Sequence, residues 1–218
     1  MNRKVIIPNL YVLDLTSFRK QIRPLFGPLI GIDPGSRSTG VAISDPARWY
    51  GKGLGTIDST RPEELAAKIN RLAKDVRAVG FVCGYPVNLN DPNRPESTHW
   101  KQGILNLVSE LYRHEFYSDT NIECCLLWHE EFSTKSAMYS MPVAKLGRYL
   151  AKGKKDRKFK GQLDAAAAEV ILQDAIDGMN TAAAPESASG VSKGLAQQAI
   201  PVFHRQVERL QRTLKNWR

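Results

Sequence analysis

At 218 residues, 42% of them hydrophobic, the chain can bury one core of ordinary size with some appendages. No apolar run approaches the roughly 20 residues that span a bilayer, and Cys83, Cys124 and Cys125 lack C-x-x-C spacing. A zinc site is thereby disfavoured, and a soluble, intracellular protein with reduced thiols is expected. The formal charge of +9 favours a polyanionic partner.

The first 28 residues carry five bases against Asp14 alone. Leu10, Tyr11, Val12, Leu13, Leu15, Phe18 and Ile22 suggest a helix over 9–23 packed beside the first strand. The same composition suits an organellar targeting segment. A mitochondrial or other organellar matrix is therefore one expected location, with the cytoplasm the alternative.

A strand over 28–33 ends on Asp33, and a turn bounded by Gly35 and Gly40 leads to a second strand over 40–45. Residues 53–57 complete an antiparallel meander. Thr60, Pro62, Glu63 and Glu64 mark a helix start, and Leu65, Ile69, Leu72 and Val76 give it one buried stripe to about residue 76. Ala78–Gly84 reads as a fully buried strand opening into a polar loop with Asn88 and Asn90. A helix over 97–117 follows. Ile122–Trp128 is a second buried strand, with adjacent Cys124 and Cys125 on opposite faces, and it delivers His129, Glu130 and Glu131.

Residues 145–160 carry eight bases (Lys145, Arg148, Lys152, Lys154, Lys155, Arg157, Lys158, Lys160) against Asp156 alone. Asp164 is expected to cap a helix over Ala165–Asp177. Thr181–Gly194 has linker composition. The last segment, about 196–217, is read as a basic amphipathic helix beyond the core. From Val191 onward six bases face Glu208 alone.

An ionised Asp33 among apolar strand residues is costly without a cation or donors, which makes it the first candidate for chemistry. Three antiparallel strands, a helix, strand–helix–strand and a closing helix follow the order of a ribonuclease H-like domain. That order could converge Asp33, Glu130 and Asp164 on one site, where two divalent cations would activate water against a phosphodiester. Each acid also has a plainer reading. Asp33 could hold an Asx-turn, Glu130 could be a solvated strand end, and Asp164 could be an N-cap. His129 fits either an acid–base or a structural role. Tyr85 and Trp128 fit base stacking or core packing.

These residues resemble a known family, the YqgF/RuvX-like proteins, named as Holliday junction resolvases and linked in bacteria to maturation of small-subunit ribosomal RNA. Ile32-Asp33-Pro34-Gly35 with Gly40-Val41-Ala42-Ile43-Ser44-Asp45 is similar to the family's opening motif. Val82-Cys83-Gly84-Tyr85-Pro86-Val87-Asn88, Trp128-His129-Glu130-Glu131-Phe132-Ser133-Thr134 and Gly161–Gln173 resemble the three motifs that follow. The resemblance covers about 28–178. It implies a mixed five-stranded α/β sheet flanked by helices, Mg²⁺ or Mn²⁺ in a two-metal site, and catalytic, metal-binding acids at Asp33, Glu130 and Asp164.

The expected organisation is an N-terminal helical extension (1–27), the ribonuclease H-like domain (28–178), a linker (179–195) and a basic C-terminal helix (196–218). Arg37, Ser38, Asn88, Lys152, Lys154, Lys155, Arg157, Lys158 and Lys160 are the expected nucleic-acid contacts. The family's D-E-R is His129-Glu130-Glu131 here, which removes a guanidinium and adds a carboxylate. Three functions remain in view: a nuclease acting on ribosomal RNA precursor, a weakly active or inactive RNA-binding component of a ribosome or other ribonucleoprotein, and a resolvase of branched DNA. RNA is favoured over DNA, and no membrane partner is expected.

Overall fold

The computed structural model describes residues 11–35, 38–58, 61–85, 95–113, 124–129, 157–181 and 191–215. The strands are β1 (Tyr11–Leu13), β2 (Leu29–Asp33), β3 (Ser38–Ser44), β4 (Gly51–Asp58), β5 (Gly80–Tyr85) and β6 (Cys124–His129). The helices are α1 (Leu15–Ile22), α2 (Pro62–Val76), α3 (Pro95–Arg113), α4 (Arg157–Thr181) and α5 (Val191–Lys215). One sheet has the order β1-β6-β5-β2-β3-β4. β2, β3 and β4 pair antiparallel, whereas β5 is parallel to β2, β6 to β5 and β1 to β6. Strands β2–β6 are the expected mixed five-stranded, ribonuclease H-like arrangement, and β1 adds a short sixth strand at one edge.

The central strands are apolar throughout because helices cover both faces. On one face Ile30, Ile32, Val41, Ile43, Phe81 and Cys125 meet α2, α3 and α5. On the other, Leu29, Ala42, Val82, Cys124 and Leu126 meet α1 and α4. Cys124 and Cys125 thus divide between the faces as expected, both buried as free thiols. Burial pushes the Cys125 thiol far above its usual range, leaving it protonated and inert.

Four expectations change. The helix over 9–23 is a strand, Tyr11–Leu13, followed by a helix that starts at Leu15. The break falls at Asp14, whose Oδ1 accepts the Ser17 N–H at 3.0 Å as an N-cap. Tyr11–Leu13 instead satisfies its backbone against the edge of β6. The cap of α2 is Arg61, with no side-chain capping bond; Pro62 and the acids Glu63 and Glu64 fill the first turn as expected. Asp164 is not an N-cap. α4 begins at Arg157, because Arg, Lys, Gln and Leu carry the helix upstream.

Finally, α5 does not lie beyond the core. Phe203, Val207, Leu210 and Leu214 are buried in the same cluster as Leu54 and Ile57 of β4. It begins at Val191, inside the stretch expected to be linker.

α4 lies unusually close to the sheet, and three strands cooperate to allow it. A Cβ on Gly31 would come within 2.8 Å of Leu172 Cβ, and one on Gly53 within 2.6 Å of the Ala165 carbonyl oxygen. One on Gly40 would overlap the carbonyl oxygen of Asp164. Glycine on β2, β3 and β4 opposite Ala165 and Ala168 on α4 therefore sets the depth at which Asp164 is held.

Candidate functional site

Asp33 is the last residue of β2 and is half-buried. Its neighbours Leu29 and Gly31 face α4 while Ile30 and Ile32 face the other way. The period of two puts Asp33 on the α4 face. Across the strand pair, Asp33 stands opposite Gly40, the glycine that lies beneath Asp164. The first and last acids of the sequence reading are thus brought to one place, one on the sheet and one on the helix above it.

Ser38, two residues before Gly40 and on the same face, fixes the second acid. Its hydroxyl donates to Asp164 Oδ2 at 2.6 Å. Ser38 was expected to contact nucleic acid; within the fold its hydroxyl has this internal partner. Asp58, which the sequence reading passes over, pairs with Ser38 in register at the end of β4. The only signal for it in sequence was an acid closing a glycine-rich strand.

β2, β5 and β6 are parallel and end together. Ile32 is level with Cys83, and Tyr85 is level with His129. Glu130 follows directly but lies outside the described residues, as do Arg37, Asn88, Lys152, Lys154 and Lys155. Arg157, Lys158 and Lys160 fall in the opening turns of α4, ahead of Asp164. Among the described residues, no three His, Cys, Asp or Glu side chains form a metal-binding group. No described helix is long and apolar enough to cross a membrane.

Tyr85 packs partly against the core, and burial raises its phenol above the usual range. Trp128 packs against the α4 side of the core, and a Cβ on Gly178 would sit 3.0 Å from its ring. Core packing therefore accounts for Trp128.

Several motif residues serve the scaffold. Asp45 Oδ1 accepts the N–H groups of Trp49 and Tyr50, each at 2.7 Å, and Oδ2 accepts that of Ala47 at 3.0 Å. Ser44 Oγ accepts from Leu29 N–H at 2.9 Å and donates to the Asp45 carbonyl at 2.8 Å. From α4, Gln173 Oε1 accepts the Gly51 N–H and Glu169 Oε2 that of Gly53, both at 2.8 Å. The polar side of α4 thereby locks onto the β3–β4 hairpin, at the opposite end of the strands from Asp33.

A family model described as RuvX, Holliday junction resolvase, matches residues 27–178. A protein of Rhodopseudomonas palustris (strain BisB18) named "Putative pre-16S rRNA nuclease" is 32% identical over 154 residues, covering 71% of this chain and 83% of the relative. A Chlorobaculum tepidum protein of the same name is 34% identical over 149 residues, covering 68% and 92%. Among solved structures, T. thermophilus RuvC in complex with Holliday junction substrate aligns at 15% identity with a TM-score of 0.38, covering 71% of this chain and 97% of that one. The yeast mitochondrial Holliday junction resolvase Ydc2 aligns at 11% identity with a TM-score of 0.39, covering 75% and 88%.

Proposed function

This chain belongs to the RuvX Holliday junction resolvase family, a family of hydrolytic nucleases, and we propose that it cleaves phosphodiesters in ribosomal RNA precursor. The observation that carries the reading is the meeting of Asp33 and Asp164 on one face, at the end where the parallel strands terminate. The family implies a divalent metal. Two carboxylates at a partly open strand end offer hard oxygen donors that suit Mg²⁺ or Mn²⁺.

Glu130 is the third ligand in this reading. Cys124, Leu126 and Trp128 of β6, the strand that Glu130 follows in sequence, face α4. When bound, the metal pair supplies a water of lowered pKa and charge stabilisation at the phosphate. The chain's own part is placement. Asp33 is set by the β2–β3 register, Asp164 by Gly40 and by the Ser38 hydroxyl. Arg37, Asn88, Lys152, Lys154, Lys155, Arg157, Lys158 and Lys160 would hold the phosphate backbone around them.

RNA is favoured because the curated relatives carry the pre-16S rRNA name; branched DNA follows the family description. We take 28–178 as the catalytic unit and 1–27 and 196–218 as extensions; the expected connection, 179–195, overlaps the end of α4 and the start of α5. Both extensions contribute to the core, through Phe18 and Ile22 at one end and Phe203 to Leu214 at the other. Residues 15–22 therefore serve the fold, which argues for their retention whether the protein works in an organelle or in the cytoplasm.

The test is cleavage of a ribosomal RNA precursor and of a four-way DNA junction with Mg²⁺ or Mn²⁺. Wild type should cut the RNA, and Asp33→Asn and Asp164→Asn should each lose at least a hundredfold. Equal cleavage by all three would remove the acids from the chemistry. Binding without cleavage would favour an RNA-binding component of a ribosome or other ribonucleoprotein.

A further inference from the structure

We propose that the outer face of α5 is a nucleic-acid-binding surface that tracks the phosphate backbone of the substrate, an inference that rests on the nuclease reading above. Its inner stripe is already used: Phe203, Val207, Leu210 and Leu214 are buried against β4 and the core. The helix is therefore held rigidly, and its remaining face determines what it can recognise.

That face presents Arg205, Arg209 and Arg212 at i, i+4 and i+7, all exposed, with Lys215 one turn further. One acid interrupts it. Glu208 lies 3.9 Å from Arg212, and both side chains are well exposed, so the pair is weak and easily displaced.

A solvated helix face that serves only solubility mixes signs. The exposed side of α2 does so, with Glu63, Glu64 and Asp75 against Lys68, Arg71 and Lys74. From Pro201 to Lys215, α5 instead sets four bases against one acid. Arg205 and Arg212 are separated by about 10 Å along the helix axis, enough to meet two or three successive phosphates of a strand.

Orientation links this stripe to the acids. Gln211 Nε2 donates to the Gly53 carbonyl at 2.9 Å, and Leu214 Cδ1 approaches Gly55. The helix therefore advances along β4 toward Asp58, which pairs with Ser38 beside Asp164. A polyanion lying along α5, which packs on the sheet face opposite α4, would be led along the edge strand β4 to the end of the sheet where Asp58, Ser38 and Asp33 stand. The helix lies outside residues 27–178, the part matched by the family model, so this surface is an addition to the shared domain.

The experiment uses the full chain carrying Asp33→Asn to prevent cleavage, with a labelled ribosomal RNA hairpin and a labelled four-way DNA junction as probes. Affinity is measured across a salt series for three proteins: the parent, Arg205→Gln/Arg209→Gln/Arg212→Gln, and Arg19→Gln/Lys20→Gln/Arg23→Gln. The last carries the same charge change at α1, on the opposite face of the sheet. The α5 variant should bind about tenfold more weakly at 0.15 M salt, with the slope of log Kd against log salt reduced by about 2 to 3. The α1 variant should change little.

Unchanged affinity and slope in the α5 variant would overturn the proposal and leave the nuclease reading standing. Equal losses in both variants would overturn it in favour of general charge. A parent that binds neither probe would remove the nuclease reading and this proposal together.

Discussion

Ser38 and Asp164, 126 residues apart in sequence, share a hydrogen bond of 2.6 Å from hydroxyl to carboxylate. The bond joins the first hairpin to the closing helix beside Asp33. A donor at this distance restricts how the carboxylate can rotate.

Ser38→Ala should therefore lower metal affinity or turnover about tenfold or more, the range seen when a ligand loses its outer partner. Stability should fall by only about 1 kcal/mol. Mn²⁺ titration calorimetry alongside urea unfolding separates the two effects, and Ser38→Thr should restore much of the affinity. An unaltered Mn²⁺ affinity in Ser38→Ala would remove the orienting role.

Gly40→Ala should be among the most damaging small substitutions in the chain. The added methyl meets backbone, the Asp164 carbonyl, and backbone cannot rotate away. A loss of about 3 kcal/mol or more is expected from this overpacking, read as a lower urea midpoint. Gly103→Ala is the contrast. Its Cβ would enter open space on α3, so helix propensity should raise stability by about 1 kcal/mol.

Asp45→Ala leaves three N–H groups of the β3–β4 turn without their acceptor. Those donors sit partly buried, so a cost of about 2–4 kcal/mol is expected, seen as a drop in Tm. Because the turn lies at the end of the strands remote from Asp33, cleavage per folded molecule should be unaffected at low temperature.

Asp174 gives a pH dependence of known sign. Partial burial, and then the charge of Asp177, hold its carboxyl above the usual carboxylate range. The folded protein therefore holds this proton more tightly than the unfolded chain. The resulting stabilisation is full below about pH 4 and is lost as pH rises through the raised native value. Asp174→Asn should raise Tm at pH 7 and have little effect at pH 3.5. Salt should shrink the gain, because Asp174 is an exposed residue.

The strands were readable because burial on both faces leaves continuous apolar runs, and the division of Cys124 from Cys125 followed from strand alternation alone. Asp33 and Asp164 were legible as an acid ending an apolar strand and an acid opening an alanine-rich run. Their convergence was expected from the order of the elements; the closeness of the approach was not, because it depends on Gly40 and on the depth of α4, which are properties of tertiary packing. The break at Asp14 was masked by apolar residues that suit a helix or an edge strand equally. The scaffold roles of Asp45, Glu169 and Gln173 could not be separated from chemistry in sequence, since polar motif residues look alike until their backbone partners are known. The place of α5 in the core was equally hidden. An amphipathic stripe announces that something covers it without naming what does.

Asp33 and Asp164 are proposed to share a metal. The most direct measurement is anomalous scattering from crystals of the full chain soaked in Mn²⁺. A peak about 2.1 Å from carboxylate oxygens of both residues is expected, lost in Asp33→Asn. A well-ordered site with the Ser38–Asp164 bond intact and no peak between the two acids would contradict it.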